Sequence, residues 1–276
     1  MIGFANYNDI DELKLLWSIC FSDTQEFIDN YFDSLFEPCD VIVARENGKI
    51  VSMATIHKVE YVEKDRSKPC GYVYAVATRP EYRGKGYFKK VMSFAKKEAK
   101  KRGFIGLVTV PATQELDKLY KKIGYKTVSK FSLFQMSGEF ARARVRYPLT
   151  KCGREEFINM RQDYLNTHKS YIKLDEKQLG FVYDYVGAKN ILTAEIGGVK
   201  KYVVCEKNDD LIVVKEHNFT QSEMPLIGRS IGAHYNVPYV NIKVHDAPNY
   251  SEKFTYAMGI TFGFRKIKGY ANLMLD

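Results

Sequence analysis

Tyr72-Val73-Tyr74-Ala75-Val76-Ala77-Thr78-Arg79-Pro80-Glu81-Tyr82-Arg83-Gly84-Lys85-Gly86-Tyr87 reads as a strand that runs into a tight basic turn and then into the first turn of a helix. The backbone N–H groups at a helix start have no partner inside the helix, and the helix dipole adds roughly half a positive charge there. Such a turn is suited to hold phosphate. Gly84 and Gly86 let the main chain approach a ligand without a Cβ in the way, and Arg83 and Lys85 add full charges. The nucleotide loop G-x-x-x-x-G-K-[ST] is absent, so the turn is not of that kind.

Working outward, Leu13, Leu16, Trp17 and Cys20 share one helical face. Ser22-x-x-Gln25 is a capping-box pattern announcing a second helix, with Phe27, Ile28, Tyr31, Phe32 and Leu35 as its stripe. Residues 41–45 and 50–60 read as strands joined by a hairpin at Asn47-Gly48, and residues 63–70 as a polar loop. After the basic turn comes a helix burying Phe88, Val91, Met92, Ala95 and Ala99. A short strand at 105–110, a helix at 116–123 ended by Gly124, and a strand at 128–136 follow. The order is ααβββαβαβ, and its central strand–helix–strand crossover implies a parallel pair inside a mixed sheet.

Arg83-Gly84-Lys85-Gly86 after a strand ending Val76-Ala77-Thr78 resembles the acyl-CoA motif of the GNAT N-acetyltransferases, Gln/Arg-x-x-Gly-x-Gly/Ala. The last small position is Phe88, a departure from that pattern shared with some two-domain, Eis-like members. Tyr120-Lys121-Lys122-Ile123-Gly124-Tyr125 falls where the family has Leu-Tyr-x-x-x-Gly-Phe/Tyr. The resemblance covers about residues 1–138 and implies a GNAT domain that uses acetyl-CoA as co-substrate. It places Val76, Ala77 and Thr78 along the pantetheine arm, and Arg83, Gly84, Lys85, Gly86, Tyr87 and Phe88 around the pyrophosphate. Tyr120 takes the place of the family's proton-donating tyrosine.

Beyond a basic segment at 137–146, with a turn at Gly138, the order of elements nearly repeats. Helices at 155–168 and 176–186 lead to strands at 191–195, 201–205 and 211–215, a helix at 223–235 and a strand at 239–244. Where the basic turn would recur stands Glu216-His217-Asn218-Phe219-Thr220-Gln221, without glycine or arginine. The expected architecture is an α/β protein with a mixed sheet. A GNAT acetyl-CoA-binding domain at 1–138 is followed by a degenerate GNAT-like domain at 147–276 that lacks a CoA motif and walls the substrate cleft.

Acetyl transfer to an amine faces two obstacles. A lysine-like ammonium, with pKa near 10.4, is neutral in only about one molecule in a few thousand at pH 7, so a base or a desolvating site must help. The departing thiolate gains from a nearby donor, for which Tyr120 is the candidate. The base is not legible. His57 and Glu60 lie at odd spacing on one strand, so only one can face the cleft. Some related multidomain acetyltransferases use their terminal carboxylate, which makes Asp276 a candidate here. Asp23, Glu26, Asp29 and Asp33 form either a solvated helix face or an attractor for a cationic amine. The five histidines show no metal-ligand spacing.

The chain has 276 residues, 45% hydrophobic and 27% charged, the composition of a globular protein long enough for two domains. Five cysteines without C-x-x-C pairing argue against a disulfide scaffold. No signal-peptide pattern and no apolar run of about 20 residues is present, so the expectation is a cytoplasmic protein that does not enter the membrane. Much of the net charge of +9 sits on Lys89, Lys90, Lys96, Lys97, Lys100, Lys101 and Arg102 of one helix, which form either a solvated face or an attractor for a polyanion; CoA suits the second reading better than nucleic acid, since no aromatic-interleaved RNA signature accompanies the charge. The expected partner is a small-molecule or peptide amine, and homo-oligomerisation stays open. The rival reading is a CoA-binding sensor or structural protein without transfer activity.

Overall fold

A computed structural model of the chain describes residues 1–64, 66–137, 147–245, 252–263 and 266–272. The turn read at Gly138 and the terminal Asp276 lie outside these residues. Strand β1 (Ile2–Phe4) precedes helices α1 (Ile10–Cys20) and α2 (Gln25–Ser34). Strands β2 (Val41–Glu46), β3 (Lys49–Glu63) and β4 (Arg66–Thr78) follow, then α3 (Tyr87–Lys101), β5 (Gly106–Thr109), α4 (Gln114–Lys122) and β6 (Lys126–Met136). The second half runs β7 (Thr150–Lys151), α5 (Arg154–Asn166), β8 (Ser170–Lys173), α6 (Glu176–Val186), β9 (Ile191–Ile196), β10 (Val199–Asn208) and β11 (Leu211–His217). It ends with α7 (Met224–Tyr235), β12 (Tyr239–His245) and β13 (Phe254–Thr261).

Local chemistry accounts for most boundaries. Asn47 and Gly48 take consecutive left-handed conformations, φ +52° and +81°, which is the two-residue hairpin turn expected of Asn-Gly. Helix α2 starts differently from expectation. Thr24, not Ser22, is its cap: the Thr24 hydroxyl accepts the Phe27 N–H at 3.2 Å. That start turns Phe27, Ile28, Tyr31 and Phe32 into the core. Thr24→Ala should therefore cost about 1 kcal/mol in urea unfolding, while Ser22→Ala should leave the midpoint unchanged. The polar segment 63–70 is not a loop either. β3 continues to Glu63 and β4 starts at Arg66, because β8 pairs with the outer end of β3 from Glu60↔Lys173 to Glu63↔Ser170 and takes up its backbone groups.

The described strands form one mixed sheet in the order β1-β2-β3-β4-β5-β13-β6-β12-β11-β10-β9-β7, with β8 alongside β3. The repeat of element order is present: α5, α6, β9, β10, β11, α7 and β12 follow the plan of α1, α2, β2, β3, β4, α3 and β5. In both halves the helical crossover joins a parallel pair, β4 with β5 and β11 with β12. The halves exchange strands at their junction. β13, from the end of the chain, lies between β5 and β6, and β6 pairs with β12 of the second half.

Helices cover both faces. On one face Leu13, Trp17, Tyr31 and Tyr72 share a continuous core with Phe157, Phe181 and Tyr256 of the second half. On the other, α3 and α4 bury Val91, Met92, Ala95 and Tyr120 against Val73 and Leu107, while α7 builds a separate core around Ile227 and Ile231. Among the described residues no helix is long and apolar enough to cross a membrane.

Candidate active site

The parallel strands β4 and β5 pair only at Gly71↔Leu107 and Tyr72↔Val108, then diverge. A bulge on β4 helps to open them. Thr55 faces Tyr74 and Met53 faces Ala77, and within that interval Ala75 adopts φ +49°, a left-handed conformation unusual outside glycine. At the base of the split the Thr109 hydroxyl donates to Val73 O at 2.9 Å and ties the two strands together. Above it lies a cleft of about 650 Å³. Tyr72 to Val76 form one wall, Thr109 to Thr113 and α4 a second, and Phe131, Lys243, Phe254 and Tyr256 a third.

Tyr120 lines this cleft with its ring only 4% exposed. Burial pushes its phenol up to about 12, against a hydrogen bond with Thr109. Its ring packs edge-on against Phe88 at 5.5 Å and tilted against Tyr125 at 5.2 Å. Phe88, half-buried on the first turn of α3, thus joins the basic turn to Tyr120. Gly84 and Gly86 sit at φ +77° and +82°, and a Cβ at either would meet nothing within 4 Å. Gly86 is the cap of α3 and supplies no side-chain acceptor to the first-turn amides.

Of the other residues singled out in the sequence, Val76 lines the cleft, whereas Ala77 and Thr78 do not. Ala77 O accepts from the Ser52 hydroxyl at 2.7 Å, and Thr78 O accepts from Arg83 Nε at 3.1 Å. Arg83 therefore braces the end of β4. The Lys85 ammonium stands 4.8 Å from the Tyr82 ring centre, and the Tyr87 hydroxyl donates to the Glu46 carboxylate.

Neither His57 nor Glu60 lines the cleft. His57 is buried, with Nε2 2.8 Å from the Tyr31 hydroxyl, and burial lowers it to about 4. Glu60 lines a different cavity, beside Arg161 and Lys173. The acids of the α2 region are absent from the cleft too: Asp23 accepts from the Trp17 indole at 2.8 Å, and Asp29 pairs with Lys14 at 2.6 Å. Sequence reasoning missed Tyr72, Tyr74, Thr109, Lys243, Lys253 and Tyr256, which line the cleft from four separate stretches of chain. Period-2 alternation marks Tyr72 and Tyr74 as one face of β4, but nothing local marks that face as a cleft wall.

Among the described residues the second half shows no equivalent opening. β11 and β12 pair through Val214↔Ile242, and just beyond, Asn272 Nδ2 donates to Lys215 O at 2.9 Å. Glu216 accepts from Arg161 Nε at 2.8 Å and from the Tyr270 hydroxyl at 2.7 Å, and Arg161 Nη2 donates to Asn272 O at 2.7 Å. These groups are buried, and their protein partners take up the strand end where the first half has its basic turn.

Residues 2–128 match the family model described as an acetyltransferase (GNAT) domain. Solved structures of similar fold cover nearly the whole chain. A GCN5-related N-acetyltransferase from Kribbella flavida superposes with a TM-score of 0.70 at 14% identity, over 94% of this chain and 70% of its own. A probable N-acyltransferase from Enterococcus faecalis V583 gives 0.71 at 13% identity, over 95% and 72%. Eis1 from Mycobacterium abscessus gives 0.66 at 10% identity, over 95% and 73%. No curated relative matches the chain in sequence.

Proposed function

Residues 2–128 of this chain belong to the GNAT acetyltransferases, and on that premise we propose that the protein transfers an acetyl group from acetyl-CoA to an amine. The observation that carries the reading is the divergence of β4 from β5 above a cleft in which Tyr120 is buried. When bound, acetyl-CoA supplies an activated acyl thioester. The turn fits its pyrophosphate: two left-handed glycines with open space at their Cβ positions lead into a helix whose first amides lack a side-chain cap. Arg83 holds the strand end beneath that turn through Thr78 O. The bulge at Ala75 and Val76 leaves main-chain groups for the pantetheine arm.

Tyr120 stays protonated at physiological pH and offers a hydrogen bond where negative charge develops on sulfur. A phenol near 12 surrenders its proton to a thiolate of intrinsic pKa about 8.5 only uphill, by about 5 kcal/mol. Stabilisation of developing charge, rather than early proton transfer, is therefore the role assigned to it. In this reading residues 1–138 bind the coenzyme, and residues 147–276 close the acceptor side through Lys243, Lys253 and Tyr256.

The test is thiol release from acetyl-CoA with a panel of amines. Amine-dependent release supports the reading, and saturable coenzyme binding without release overturns it in favour of a sensor. Gly86→Val should weaken acetyl-CoA binding by about tenfold or more, because a left-handed β-branched residue costs about 1–2 kcal/mol and Cβ enters the ligand space. Calorimetry measures the loss, and unchanged affinity removes the turn from the site.

A further inference from the structure

We propose that the cavity between β3, α5 and α6 is a second ligand site, separate from the cleft, and that it takes an aliphatic amino acid as the free zwitterion. The inference does not rest on the transferase reading. The cavity measures about 470 Å³ and shares no lining residue with the cleft. Lys58, Val59 and Glu60 come from β3 of the first half, and the other walls from α5, α6 and the β8 segment of the second.

Arg161 is the fixed point. Its side chain is fully buried and lines this cavity. Nε donates to Glu216 and Nη2 to Asn272 O, which locks the guanidinium, while Nη1 is buried without a hydrogen-bond partner. Buried donors in folded proteins are nearly always satisfied, so an orphaned guanidinium N–H marks the place of a missing acceptor. A carboxylate fills that place with a charge-assisted bond.

Glu60 and Lys173 add opposite charges to the same cavity. They stand directly opposite each other on β3 and β8, and so share one face of the sheet. Both line the cavity, yet among the described residues neither side chain is in an ion pair. A ligand of one sign would satisfy one of them and repel the other. A zwitterion satisfies both, its carboxylate toward Arg161 and Lys173 and its ammonium toward Glu60. Asp175 does not compete for the ammonium, because it caps α6 by accepting the Gln178 N–H at 2.8 Å. Lys58 and Glu176, of opposite sign, are exposed at the rim. Val59, Ile158, Leu165 and Leu179 supply an apolar wall for an aliphatic side chain.

L-leucine is the probe, in calorimetry without acetyl-CoA. Isoamylamine, which lacks only the carboxylate, and 4-methylpentanoate, which lacks only the amine, are its controls. The expected result is saturable leucine binding with Kd of about 1 mM or tighter, at least about tenfold tighter than either control, or about 1.4 kcal/mol. Lys173→Met should cut the advantage over isoamylamine to about threefold or less, and Glu60→Gln the advantage over 4-methylpentanoate likewise. The thermal midpoint of each variant without ligand checks its fold. Leucine bound by both variants as tightly as by the wild type sits elsewhere, the cleft included, and overturns the site. A control bound as tightly as leucine overturns the ligand class. No saturable heat up to about 10 mM leaves water as the partner of Arg161 and overturns both.

Discussion

Tyr120→Phe is expected to lower kcat for amine acetylation by about 10²–10³, the usual cost of removing one donor that faces developing charge in a water-poor site. The substitution deletes only the hydroxyl. The ring keeps its edge-on contact with Phe88 and its tilted contact with Tyr125, so the fold of the cleft wall should persist. Because the hydroxyl acts mainly as charge builds on sulfur, the loss should appear in kcat, with the KM for acetyl-CoA nearly unchanged. The phenol is raised to about 12 by burial, so the wild-type rate should show no alkaline fall from Tyr120 below pH 10. Steady-state thiol release with the amine in excess measures both parameters. A variant within threefold of wild type would falsify the assignment.

Acidification from pH 6.5 toward 4 is expected to remove about 6 kcal/mol of stability through His57 and His217, roughly 3 kcal/mol each. Burial is the largest cause at both sites and lowers each to about 4 from an ordinary 6.5. Lys177 disfavours the charged form of His57 further. At His217 the nearby Lys201 also disfavours it, while a hydrogen bond with the backbone of Lys243 and the charge of Glu223 oppose the shift. His57 instead meets the Tyr31 hydroxyl at 2.8 Å, and His217 Nδ1 accepts the Phe219 N–H at 3.1 Å, so the folded chain holds both rings neutral.

Between pH 6.5 and 4 the unfolded chain binds up to two more protons than the folded one at these sites, so stability rises with pH there. The contribution is complete above 6.5 and is lost as pH falls through 6.5 toward 4, at about 2.5 kcal/mol per pH unit near pH 5. The carboxylates Asp29, Glu115 and Glu156 are lowered from ordinary carboxylate values, so their contribution is lost only at more acidic pH. Urea unfolding at pH 7.5, 6 and 5 measures the slope, and His57→Gln should halve it whatever it does to the absolute stability. A flat profile from pH 7 to 5 would show that neither ring is held neutral by burial.

How far the chain can be read without its fold depends on the range of the interaction concerned. The hairpin at Asn47-Gly48 and the glycine turn before α3 are legible because a left-handed backbone needs particular residues at particular places. The faces of α1 and α3 are legible because their apolar residues recur at the helical period. The crossover follows from strand, helix and strand in succession, so the placement of Val76 and Tyr120 near one parallel pair is also legible. The cap of α2 shows the limit of this reading: Ser22 and Thr24 both satisfy the local rule, and packing of Phe27 and Ile28 chooses between them.

Sequence alone determined the turns, the helix faces and the parallel crossover at the centre of the site, because each is a property of neighbouring residues and their backbone angles. Only the tertiary structure decided that β13 lies between β5 and β6, that β8 lengthens the β3 hairpin, and that Lys243 and Tyr256 face Tyr72 and Tyr120 across one cleft. The physical reason is that backbone hydrogen bonds in a sheet accept almost any partner strand. The choice among partners is made by the packing of side chains far apart in the chain, and short-range patterns carry no record of it.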